Sequence, residues 1–160
     1  MARASGGTPA TVALTRAGVA YTLHPYAHSD GERHYGDEAA AATGVDPRRI
    51  FKTLLVDVGG ELVVAVVPVA GSLDLKALAS VLGAKKAALA DPGAATRSTG
   101  YVLGGISPIG QRTRLRTVVD ASASDFAAVY VSAGKRGLQL ELAPADLVRV
   151  TDAVTAQVAG

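Results

Sequence analysis

The chain contains no cysteine, which excludes a cysteine nucleophile, a thiolate metal site and any disulfide framework. Aromatic residues are scarce at 4%, so the core must be built mainly from Val, Leu, Ile and Ala. Long apolar runs are missing too. The longest, Leu62 to Ala70, is interrupted by Pro68 and falls well short of the roughly 20 residues that cross a bilayer, so no membrane partner is expected. The opening MARASGG has one arginine and no apolar stretch after it, unlike a secretory signal. The expectation is a cytoplasmic protein with a loose tail over residues 1–7. Neither sign of charge dominates, the net charge being +2.

What is present is globular: 49% hydrophobic and 19% charged residues over 160 positions. That length is most simply one domain, residues 8–160, able to bury roughly two thirds of its unfolded surface. The bases are clustered, at Arg48-Arg49-Lys52, Lys85-Lys86, Arg112-Arg114-Arg116 and Lys135-Arg136. Clusters of this kind are either solvated faces or a footprint for a polyanion.

Local signals divide the chain cleanly. Thr8, Pro9 and Gly18 mark the cap, first turn and stop of a helix. VAYTLHPY reads as a short strand ended by Pro25, and a polar loop then leads into a helix from about Gly36 that Gly44 ends. RRIFKTLLVDVGGELVVAVVPVAG reads as a hairpin turned by Gly59-Gly60, which sets Val58 opposite Glu61 and Lys52 opposite Val67. SLDLKALASVLG and ADPGAATRSTG read as helices, and YVLGGISPIG is too rich in Gly and Pro to be regular. Three strands follow in RLRTVVDASA, FAAVYVSAG and GLQLELA, then a last helix in APADLVRVTDAV. Strands outnumber the helices between them, so the expected fold class is α/β of the α+β type, with a mixed sheet flanked by helices.

Few groups offer chemistry. The spacing of His24, His28 and His34 lies in strand and loop rather than on one helical face, so they read as surface or hydrogen-bonding histidines and not as a zinc site. Ser107 and Ser132 stand in no nucleophile elbow, and no phosphate-loop motif occurs. GGISPIG is either a tight turn or a place where backbone N–H groups approach an oxygen of a ligand. Lys52 is the anomaly, because strand period puts it on one face with Ile50, Leu54 and Val56. It either snorkels along those side chains from an edge strand or lines a cleft where partial desolvation strengthens its pull on an anion.

Taken together, GDE at 36–38, FKTLLV at 51–56, VPVAGSLDLKALA at 67–79, LGAKK at 82–86, RSTGYVLGGISPIGQ at 97–111 and YVSAGKRGLQLEL at 130–142 resemble the YbaK-type Cys-tRNA(Pro) deacylases. These belong to the wider YbaK and prolyl-tRNA synthetase editing-domain superfamily, and the resemblance runs in order from about Thr8 to Thr151. It implies a partly closed mixed sheet with the site in a cleft, no metal and no cofactor. The activity it implies is hydrolysis of cysteine misattached to proline tRNA. The implied partners are the acceptor end of an aminoacyl-tRNA and a prolyl-tRNA synthetase in a transient complex.

The family's key lysine corresponds to Lys52, with Thr53 beside it. Gly104, Gly105 and Ile106 correspond to the pocket-lining glycine segment, with oxyanion stabilisation expected near Gly105. Tyr26, Tyr35 and Ser132 match further cleft positions. Position 139 departs from the pattern, holding Gln139 where the family can place an aspartate. The resemblance also implies that the substrate thiol attacks its own ester, Lys52 anchoring the tRNA end. Two other readings stay open: a deacylase for another small residue such as alanine, and a non-catalytic RNA- or nucleotide-binding regulator.

Overall fold

The computed structural model describes residues 7–28 and 35–160. Most of the expected N-terminal tail, and His34, lie outside the described residues. The elements are α1 (Pro9–Ala17), β1 (Thr22–Pro25), α2 (Tyr35–Thr43), β2 (Phe51–Val58), β3 (Glu61–Pro68), α3 (Leu75–Val81), β4 (Ala87–Leu89), α4 (Pro92–Thr99), β5 (Thr117–Asp120), β6 (Val129–Lys135), β7 (Leu138–Leu142), α5 (Pro144–Thr151) and β8 (Val154–Ala156).

Local chemistry starts and stops these elements. Thr8 and Thr11 form a reciprocal capping box, and Asp74 and Asp91 cap α3 and α4 by accepting from Ala77 and Ala94 N–H. Gly18 and Gly100 end α1 and α4 in the left-handed conformation. The hairpin has the expected register, Lys52 facing Val67 and Val58 facing Glu61.

The sheet pairing is mixed, as expected, but the strands divide into two sheets. Five strands run in the order β4-β2-β3-β5-β8, with β3-β5 and β5-β8 parallel. Three antiparallel strands run β1-β7-β6. Among the described residues one parallel bridge, Ile50 to Tyr130, links the two, and no barrel closes.

The larger sheet is covered on both faces. Phe51, Leu55, Val64, Val66 and Val119 pack with Leu14 of α1, Leu147 of α5 and Leu140 of β7. Val56, Val58, Val63, Ala65, Val67 and Val118 pack under Leu78 of α3 and Val158. This explains the apolar run of β3: a central strand buried on two sides has no polar face. Among the described residues no helix is long and apolar enough to cross a membrane.

The loop after α4 is held by Tyr101, which is 4% exposed and donates its hydroxyl to the Ile109 carbonyl at 2.6 Å. Burial pushes its pKa well above the usual phenol value, only partly opposed by hydrogen bonding to backbone. A raised folded-state value means this contribution is fully present below about pH 10 and is lost as pH rises towards the folded value. Tyr101→Phe is therefore expected to lower stability by about 1–2 kcal/mol at neutral pH, through the orphaned Ile109 carbonyl. Its deficit should shrink above about pH 10, because the phenylalanine variant lacks that titration. Urea unfolding at the two pH values checks this, and a deficit that is constant or grows in alkali contradicts it.

Candidate functional site

The site follows from the length of β4. That strand pairs only with Val56–Val58 of β2, while the Ile50–Tyr130 bridge sits at the other end. Between them one edge of β2 carries no paired strand among the described residues, and a cleft of about 430 Å³ opens there. Strand β2 supplies Phe51, Lys52, Thr53 and Leu54, and the start of α2 supplies Tyr35 and Asp37. Tyr26 follows β1, Ser132 and Gln139 come from the smaller sheet, and Leu103, Gly104 and Ile106 come from the irregular loop.

Every expected site residue except Gly105 therefore lines one cleft. Gly105 is set back from it: its N–H donates to the Val102 carbonyl at 2.9 Å, and a Cβ there would lie 2.8 Å from the Lys135 Cα. Its neighbours differ, since the N–H groups of Gly104 and Ile106 have no partner among the described residues. Gly104 has φ +82, and a Cβ there would meet the Tyr35 ring at 2.7 Å. The Arg136 guanidinium also lies over that ring, 5.2 Å from its centroid. Arg136 Nε also donates to the Leu103 carbonyl at 2.7 Å, joining the loop to the β6–β7 turn.

Lys52 is half-buried, and its Nζ donates to the Gly71 carbonyl at a long 3.4 Å. No carboxylate pairs with it among the described residues. Strand β2 is internal in sheet order but unpaired on one side at Lys52, and it is this local open edge that lets the lysine line the cleft.

Two acceptors in the same cleft are also unused, the Thr53 Oγ1 and the Gln139 Oε1, both buried without a hydrogen-bond partner among the described residues. An unmatched buried acceptor is destabilising by about 1–3 kcal/mol, which makes such atoms stand out as ligand positions. Burial raises the Tyr26 pKa; hydrogen bonding to the Gly137 backbone and the Gln139 side chain opposes this, and the nearby Glu38 charge adds to the rise. Ser132 Oγ accepts from Gly134 N–H at 3.1 Å and so belongs to a local turn.

No Ser–His pair exists among the described residues. His24 Nε2 contacts Glu141 at 2.9 Å and His28 Nδ1 contacts Glu38 at 2.6 Å. Ser107 is fully buried and accepts from Ile109 N–H. Sequence reasoning missed Asp37, Phe51, Val69 and Leu103 as cleft residues. Asp37 was legible as part of the GDE motif at 36–38 but not as a cleft residue, and the apolar three carry no chemical signature in one dimension.

Comparisons with known proteins place this geometry. The family model of the aminoacyl-tRNA editing domain matches residues 32–150. A curated protein of Enterococcus faecalis named "Putative Cys-tRNA(Pro)/Cys-tRNA(Cys) deacylase EbsC" is 41% identical over 143 residues, 88% of this chain and 85% of that one. A solved structure of a "putative trans-editing enzyme for prolyl tRNA synthetase" superposes with a TM-score of 0.85 at 22% identity, covering 99% of both chains. A solved hypothetical protein superposes with a TM-score of 0.84 at 28% identity, over 95% of this chain and 99% of that one. The chain, built as two sheets with a cleft at the open edge of β2, belongs to the aminoacyl-tRNA editing domain family.

Proposed function

We propose that the chain is a trans-editing deacylase that releases cysteine from tRNA(Pro) by cleaving the aminoacyl ester. The observation that carries this is the cleft itself: an unpaired ammonium on Lys52 beside two unused buried acceptors, with no Ser–His pair among the described residues. Such a site binds and orients; it does not supply a side-chain nucleophile. The name of the E. faecalis relative supplies the substrate class.

In the proposed reaction the cysteinyl sulfur attacks its own ester carbon. The C–O bond to the terminal ribose breaks, the thiol proton passes to the departing ribose oxygen, and the resulting thiolactone is opened by water. Lys52 holds the tRNA terminus through phosphate or ribose oxygens. The free N–H groups of Gly104 and Ile106 stabilise the developing oxyanion, which is the larger electrostatic contribution. Thr53 Oγ1 and Gln139 Oε1 accept from the substrate ammonium. Orientation alone makes this intramolecular attack effective, because the nucleophile arrives attached to its target.

A panel of tRNA(Pro) charged with cysteine, serine or alanine tests the proposal. Fast release of cysteine and far slower release of serine and alanine is the expected result. Equal release of alanine instead gives the activity to a water-based deacylase for small residues, and binding without any release leaves a non-catalytic RNA-binding protein.

Gln139 gives a second check. Gln139→Leu removes a buried acceptor that has no partner, so thermal stability should rise by about 1 kcal/mol or less, after loss of its bond to Tyr26. Meanwhile kcat/KM should fall by roughly tenfold or more, the value of one hydrogen bond to a charged group. Thermal melts and single-turnover deacylation read the two effects separately, and a fall in both assigns Gln139 to the fold alone.

A further inference from the structure

A second hollow, of about 510 Å³, lies at the far end of β2, under the Gly59-Gly60 turn. Lys76, Lys85 and Lys86 line it. All three are exposed, and none pairs with a carboxylate among the described residues. Asp57 and Asp74 accept from backbone, Asp57 from Gly60 N–H and Asp74 from Ala77 N–H. By contrast Arg48, Arg49, Arg114, Arg116 and Arg149 all have carboxylates within 4.0 Å. Asp57 lines the same hollow, so three lysines against one aspartate leave a net charge of +2 there.

Its place relative to the cleft is set by the sheet. Ala87 pairs with Val58, so Lys86 stands beside the hairpin turn while Lys52 stands at the opposite end of the same strand. At about 3.3 Å per residue the two lie roughly 20 Å apart. Lys52 also shares its strand face with Val56 and Val58, over which α3, the helix that carries Lys76, packs. The hollow is more open to solvent than the cleft, which suits an extended polyanion.

We propose that Lys76, Lys85 and Lys86 form a second anchor that holds backbone phosphates of the tRNA acceptor arm, upstream of the 3′ end seated at Lys52. The proposal rests on the deacylase reading for the placement of that end. Two cationic groups at the ends of one strand match the regular charge of a nucleic-acid backbone. Each lysine contributes affinity and salt dependence without sequence preference.

Fluorescence anisotropy with an uncharged acceptor-stem hairpin RNA, titrated at several salt concentrations, tests this. The Lys76→Gln/Lys85→Gln/Lys86→Gln variant should bind at least tenfold more weakly, with a log–log salt slope shallower by about 2–3, close to one per lysine. The corresponding triple arginine variant should restore both. Unchanged affinity and slope in the glutamine variant, or failure of arginine to restore them, overturns the anchor and turns attention to an acidic protein partner. Because the readout is binding, it separates from the preceding reading. Lysine-dependent binding with no ester release sinks only the deacylase, and ester release with lysine-independent binding sinks only the anchor.

Discussion

Lys52→Ala is expected to lower kcat/KM for Cys-tRNA(Pro) by roughly 10- to 150-fold, the equivalent of about 1.5–3 kcal/mol for a hydrogen bond to a charged group. The same variant should keep its fold. Lys52 makes one long contact to the Gly71 carbonyl and no ion pair among the described residues, so its removal should change stability by no more than about 0.5 kcal/mol. An activity loss without a stability loss is the signature of a binding group. Lys52→Arg is not expected to rescue, because a planar fork replaces a compact ammonium in a site lined by Phe51, Leu54 and Ile106. Single-turnover release measured alongside thermal melting decides the matter. Wild-type rates in the alanine variant would remove Lys52 from the site.

Gly105→Ala should lower both stability and rate, although it adds a single methyl group. A Cβ at this position would lie 2.8 and 2.9 Å from the Lys135 Cα and carbonyl carbon and 3.0 Å from the Arg136 nitrogen. All three atoms are backbone, so no rotamer change relieves the contact and the loop must move away from the β6–β7 turn. Overpacking of this kind is destabilising by about 1–3 kcal/mol. The displaced loop carries Gly104 and Ile106, the proposed oxyanion donors, and a shift of about 1 Å there can lower the rate some 100-fold. Gly18→Ala is the control for stability loss alone: its φ of +69 is unfavourable for alanine, a strain that Gly105 does not carry, and no atom lies within 4 Å of its Cβ. It should lose about 1–2 kcal/mol to backbone strain and keep its full rate. If both variants show the same rate as wild type, the position of the loop is irrelevant to the chemistry.

Gly105 also shows where reading a single dimension stops. In sequence it is one of a pair of adjacent glycines, equivalent to Gly104 by any local rule. In the fold Gly104 lies against an aromatic ring at the cleft and Gly105 against a neighbouring backbone, and only the second has its N–H committed to a turn. The difference depends on what stands across from each. Similarly, Gln139 was legible as a departure from the family pattern, whereas its unused carbonyl oxygen emerged only when the smaller sheet was placed against β2.

The short strands β4 and β8, at three residues each, left no signal, since three residues establish no period. They exist because partners pair with them: β4 along the end of β2 and β8 along β5. Their absence from the sequence reading mattered, because the abrupt end of β4 is what opens the cleft.

Amino-acid order by itself determined the hairpin register and the cap and stop of α1 at Thr8 and Gly18. Each depends on interactions spanning a few residues, which local composition encodes. It also singled out Lys52 as a cation among aliphatic neighbours. Only the tertiary structure decided what that anomaly means, because the open edge of β2, the unpaired ammonium and the unused acceptors of Thr53 and Gln139 are set by segments distant in sequence. Desolvation and pairing are properties of an environment, and the environment of Lys52 comes into being when the two sheets pack together.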